Sequence, residues 1–153
     1  MKSIALLFCL MLIFPVAACE PSILGEWKSD GPATMDFART RAKLEPRQEA
    51  FLAALMGKMT VTISERELHL RLPDLEVSIN GELKPLEGFE ERKDSKVIFC
   101  NSSEAVILTG SEAERQDTTT YYFIGPDTVW TYMGTNHPDI PDLHLREYFS
   151  RVR

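Results

Sequence analysis

From Met59 onward, apolar side chains recur at every second position. Met59, Val61 and Ile63 alternate with Thr60, Thr62 and Ser64. Leu68, Leu70 and Leu72 alternate with His69 and Arg71, and Leu75, Val77 and Ile79 repeat the pattern. A period of two gathers the apolar groups of a segment on one face of a strand. A polar opposite face suits antiparallel sheet, since parallel sheet is covered on both sides. Asn80-Gly81, after the third run, is the strongest short hairpin signal. Further strands are expected in EGFEER, KVIFC, EAVILT, TTTYYFI, TVWTYM and LHLREYFSRV, with Gly125-Pro126-Asp127 joining two of them tightly. About nine or ten short strands separated by turn residues predict a mainly β fold, a small antiparallel β-barrel. A β-sandwich shares the same alternation and is the alternative.

Ahead of this β region, the pattern is helical. Pro46 suits a first helical position and Gly57 the position just past a helix end. Phe51, Leu52, Leu55 and Met56 form one stripe, so a single amphipathic helix is expected over Pro46–Met56, between the early strands. It either packs on the core or covers a cavity mouth. The alternation of Met35 and Phe37 in ATMDFA reads as a second extended piece, after a turn at Asp30-Gly31-Pro32. ILGEWKS reads as the first strand.

The chain carries 17 Lys and Arg against 23 Asp and Glu, a net charge of −6. Phosphate backbones call for a basic face, so no nucleic-acid partner is expected. At 153 residues one folded domain is expected, over 23–153.

Residue types able to do chemistry are present without a pattern that organises them. His137, Asp139, Asp142 and His144 fall close together, but Pro138 and Pro141 make the stretch ordinary turn chemistry, so no metal and no cofactor is expected. No Gly-x-Ser-x-Gly and no Gly-rich phosphate loop occurs. Glu76, Glu90, Asp117 and Glu147 could act as an acid–base pair only in contrasting environments. No enzyme activity is expected.

The N-terminus addresses the chain to an envelope. Lys2 is followed by the uncharged run Ile4–Ala18, too short to span a bilayer and suited to a signal peptide over 1–18. Val16-Ala17-Ala18-Cys19 resembles a bacterial lipobox. That resemblance implies cleavage before Cys19, acyl chains on its sulfur and amine, and a short lipid-anchored tether over 19–22. Glu20, where an Asp would favour inner-membrane retention, implies the outer membrane, with the domain facing the periplasm. Cys100 then remains as a lone thiol, expected to be buried in its strand; with Cys19 unacylated, a Cys19–Cys100 disulfide becomes available.

Gly25-Glu26-Trp27 at the start of a meander-rich β chain resembles the Gly-x-Trp opening of lipocalins and related calycin barrels. The resemblance implies a barrel whose Trp27 closes the floor against a basic residue of the last strand, Arg151 first and Arg146 second. It also implies binding of a small apolar or amphipathic ligand, for which Trp130, Tyr122 and Tyr132 are the expected lining, with Phe51 and Leu55 of the helix covering it. Tyr122 and Trp130 serve equally as a cross-strand pair. The alternative is a solid barrel that docks an envelope protein partner.

Overall fold

The computed structural model describes residues 19–79, 81–111, 115–134 and 144–153. In chain order the elements are β1 (Gly25–Ser29), α1 (Gly31–Arg41), α2 (Pro46–Leu55), β2 (Thr60–Ile63), β3 (Glu67–Leu72), β4 (Leu75–Ile79), β5 (Glu82–Leu86), β6 (Phe89–Cys100), β7 (Glu104–Thr109), β8 (Asp117–Gly125), β9 (Thr128–Tyr132) and β10 (Arg146–Arg151). Eight strands close into an antiparallel barrel in the order β1-β10-β9-β8-β7-β6-β3-β2, and β4 and β5 form a separate two-stranded ribbon. The ladder runs unbroken from β10 through β1 to β2, which makes the fold a barrel and not a sandwich. Trp27 sits in the seam, opposite Arg151 on one side and Val61 on the other.

The period-two residues line the interior. Trp27, Val61, Ile63, Leu68, Ala105, Ile107, Val129 and Phe149 are each at most 5% exposed. With Ile23 and Tyr121 they form one buried cluster, against which Val97, Cys100 and Phe123 pack. Full burial of side chains of this size contributes about 1.5–3 kcal/mol each, so this cluster dominates the stability of the fold. It fills the end of the barrel where β1 begins and β10 finishes, here called the floor. Tight turns after β2, β6 and β8 leave from the floor, while the helices and the β4–β5 ribbon interrupt the chain at the opposite, open end.

Two expectations are corrected. Residues 31–41 are helical, not extended, because Asp30 caps them: its Oδ1 accepts from the Ala33 N–H at 3.0 Å, and Pro32 fits the first turn. Thr34, Met35 and Ala38 then share a buried face at helical spacing. The Tyr148 N–H donates to Thr34 Oγ1 at 3.0 Å and the Asp30 N–H to the Tyr148 carbonyl at 2.7 Å, so α1 continues the seam where β1 leaves it. The Pro46 helix is present, but none of its residues is buried. It lies on β4 and α1 instead of the barrel core, with Arg39 and Glu49 paired at 2.7 Å.

The segment EGFEER from Phe89 onward and KVIFC belong to one long strand, β6. The ribbon after Leu75–Ile79 pairs β4 with β5, and Asn80 of its turn lies outside the described residues.

Candidate binding groove and barrel floor

Gly25 shows why the floor needs its Gly-x-Trp. Its φ is +135°, and a Cβ there would stand 2.7 Å from Arg151 Nη1. The guanidinium instead occupies that space, with its carbon 4.2 Å from the centre of the Trp27 ring. It donates to the Leu24 carbonyl at 2.8 Å and to the Ser22 carbonyl, and its Nε lies 3.5 Å from Asp127 Oδ1. Trp27 Nε1 donates to the Ile23 carbonyl at 2.8 Å, which satisfies the one polar atom of a side chain 1% exposed. Gly25, Trp27 and Arg151 thus hold the incoming segment across the floor. Arg146 is elsewhere, on the outer wall.

That incoming segment, the short stretch 19–22 expected as a tether, runs along the barrel floor. Cys19 and Cys100 are joined as a disulfide with Cα atoms 5.7 Å apart, and Ile23 is 1% exposed. Cys100 is half-buried at the end of β6 and bonded to Cys19, so it is not the lone buried thiol expected of its strand.

The aromatic residues expected to line a ligand lie on the outer face. Tyr122 and Trp130 alternate with the buried Tyr121 and Val129, oppose each other across β8 and β9, and stack at 4.2 Å with planes 19° apart. Tyr132 shares that outer row and is 46% exposed. The Arg146 guanidinium lies between Trp130, at 3.9 Å, and Phe37 of α1, at 4.8 Å, and Phe37 meets Tyr148 at 6.1 Å. This column fastens α1 to the barrel wall. A molecule inside the barrel would touch none of Tyr122, Trp130 and Tyr132.

Phe51 does border a cavity. Arg47, Gln48 and Phe51 of α2 and Ser78 of β4 line a solvent-open groove of about 280 Å³ at the open end. Phe51 is 36% exposed on its wall, while Leu55, one turn further, is half-buried and outside that lining.

The barrel interior turns polar toward the open end, a feature the alternating pattern concealed. Glu147 is 3% exposed and accepts from Ser29 Oγ at 2.6 Å; Ser29 Oγ in turn accepts from the Gly57 N–H at 2.9 Å. Burial pushes the Glu147 carboxyl above the usual range, and the Ser29 hydrogen bond offsets part of that. Burial, with the nearby Glu147 charge, also pushes the Tyr121 hydroxyl up.

The other carboxylates do not join Glu147. Glu90 lies on the outer wall 2.8 Å from His69 Nε2, and that hydrogen bond and charge hold it below its ordinary value. Asp117 pairs with Arg115 at 3.1 Å, and Glu76 is on the ribbon. Among the described residues no group of three metal-ligating side chains occurs. His137, Asp139 and Asp142 lie outside the described residues, and His144 is exposed with φ 53°.

No protein-family model, curated protein or solved structure matches this chain. Among the described residues no helix is long and apolar enough to cross a membrane.

Proposed function

We propose that this chain is an exported envelope protein whose barrel carries a small amphipathic molecule in the groove between α2 and β4, without catalysing a reaction on it. The groove carries the reading. Its apolar wall is Phe51, on a helix with no buried residue, and Arg47 stands beside it as a partner for an anionic head group. Such a site suits a short-chain amphiphile with a carboxylate or phosphate head. The packed cluster behind Trp27 and Phe149 occupies the floor half of the barrel, so the ligand is assigned to the open end.

A dansyl-labelled medium-chain fatty acid, titrated into the full chain, tests this. Phe51→Ser should weaken its binding roughly tenfold, from the loss of about 1.5 kcal/mol of apolar contact. Equal binding by the variant would remove the groove as the site. The filled floor half supports a second reading, a solid barrel that docks an envelope protein, and absence of any fatty-acid binding would favour it.

The lipobox-like Val16-Ala17-Ala18-Cys19 supports a lipid anchor at Cys19 and an outer-membrane address facing the periplasm. Its pairing with Cys100 supports a different fate, an exported chain closed by a disulfide. Both fates use the same sulfur. The intact mass of the envelope-processed chain separates them: added acyl mass marks the anchor, and a gain of two hydrogens on reduction marks the bridge.

A further inference from the structure

The floor of the barrel has an apolar rim that the barrel itself does not use. β6 carries a bulge between Val97 and Phe99, and β8 carries another between Phe123 and Gly125, both at the floor end. A bulge inserts an extra residue, breaks the inside–outside alternation and re-aims side chains. Ile98 and Phe99 are consequently both exposed, at 49% and 48%, and Ile124 is 60% exposed. Val152, just past β10 at the same end, is 44% exposed. Beside Ile124 runs a groove of about 340 Å³ whose walls include Pro21, Ser102 and Pro126.

Cys19 enters at this rim. Its Cα is 5.7 Å from that of Cys100, the residue after Phe99. The Arg151 hydrogen bonds to the Ser22 and Leu24 carbonyls fix the chain only three residues further on, a span of about 10 Å at most. A lipid attached at Cys19 therefore has no free tether to lift the domain away from the bilayer.

We propose that the floor end seats on the phospholipid bilayer surface, with Ile98, Phe99, Ile124 and Val152 entering the interface around Cys19 and the α2–β4 groove facing away. This rests on the lipid anchor proposed above, in which the Cys19 sulfur carries lipid in place of its bond to Cys100 and the Arg151 hydrogen bonds alone keep the segment at the rim. The bulges supply exposed apolar side chains at the end where acyl chains would emerge, and an interfacial helix achieves the same with its apolar face. Among the described residues the four other large exposed apolar side chains, Phe51, Leu83, Phe89 and Tyr132, lie at the open end, out of reach of a bilayer that holds Cys19.

The test uses the full chain, processed in a bacterial envelope, carrying Cys100→Ser and one added cysteine at position 98, 124 or 83. Each is labelled with a polarity-sensitive fluorophore and reconstituted into phosphatidylethanolamine–phosphatidylglycerol vesicles. Labels at 98 and 124 should shift to the blue on the vesicles, and the label at 83 should stay at its aqueous wavelength. Protein that floats with the vesicles while 98 and 124 remain aqueous overturns the seating and leaves the anchor intact. Protein that does not float removes the anchor and the seating with it. A shift at 98 and 124 in native envelope but not in pure lipid assigns the rim to a protein partner and overturns the proposal.

Discussion

Replacing Arg151 with methionine keeps an unbranched apolar stem beside Trp27 but deletes the charge and every donor. The loss is calculable from the contacts. A hydrogen bond from a charged group contributes about 1.5–3 kcal/mol, toward the lower end here because the Ser22 and Leu24 carbonyls are only partly buried and water can replace the guanidinium. The cation over the Trp27 face, at 4.2 Å from a ring 1% exposed, adds about 1 kcal/mol. The Asp127 pair is set at zero, since partly exposed ion pairs contribute little. Arg151→Met should therefore cost about 4 kcal/mol, and lower the melting temperature by roughly 10–15 °C for a domain of this size. Urea unfolding of the full chain, followed by tryptophan fluorescence, measures it, with the slope unchanged so that the midpoint reports stability. Arg151→Lys should lose most of the same energy, because a single ammonium cannot serve both carbonyls and cover the ring together. A methionine variant within about 1 kcal/mol of the parent would refute this account of the floor, for it would mean that packing alone holds the segment before β1.

Three further outcomes follow from the same geometry. The Glu147 carboxyl titrates higher in the folded state than in the unfolded chain, so its penalty is absent at acid pH, grows as pH rises through that window and is complete above it; Glu147→Gln, which can still accept from Ser29, should stabilise the protein at pH 7.5 and not at pH 4 in paired urea titrations. A Cβ at Gly88 would lie 2.2 Å from the Leu72 carbonyl oxygen and 2.5 Å from the Pro73 carbonyl carbon; Gly88→Ala should cost about 1–3 kcal/mol and speed hydrogen exchange in the β4–β5 ribbon before the barrel. Trp130→Ala removes one wall of the Arg146 sandwich and the Tyr122 stack; it should cost about 1–2 kcal/mol and raise exchange in α1, while α1 exchange equal to the parent's would show that Thr34 and Met35 hold the helix without the aromatic column.

The barrel was legible in the sequence because its interior repeats with the pleat. Val61, Ile63, Leu68, Ala105 and Ile107 sit inside where alternation places them. In residues 31–41 the alternation of Met35 and Phe37 covers too few positions to separate a strand from a helix, and the Asp30 cap with Pro32 is the stronger local signal. β5 is signalled only by the Asn80-Gly81 turn, because Pro85 and the exposed Glu82, Leu83 and Lys84 carry no buried face to alternate. The column of Tyr122, Trp130 and Tyr132 shows a different limit. Both faces of β8 and β9 are rich in large side chains, so periodicity gives two faces without saying which is inside. Glu147 alternates with Tyr148 as any rim carboxylate would, and only closure of the barrel over Ser29 buries it. Cys100 could be paired on paper only if Cys19 kept a free sulfur. The approach of the two depends on a segment that Arg151 folds back across the floor.

The seam between β1 and β10 joins residues from opposite extremes of the described chain. Local turns can assemble β6 through β9 early, but the cylinder cannot shut before β10 arrives, and fold topologies dominated by such distant pairings form slowly. Until then β1 and β9 present unpaired backbone edges, the sort of surface on which strands of neighbouring molecules add. A chain cut short before Arg146 would keep most of its core residues and still be left in this open state. The quantity at risk in such a truncation is colloidal: the fragment should sediment as aggregate instead of persisting as a weakened monomer.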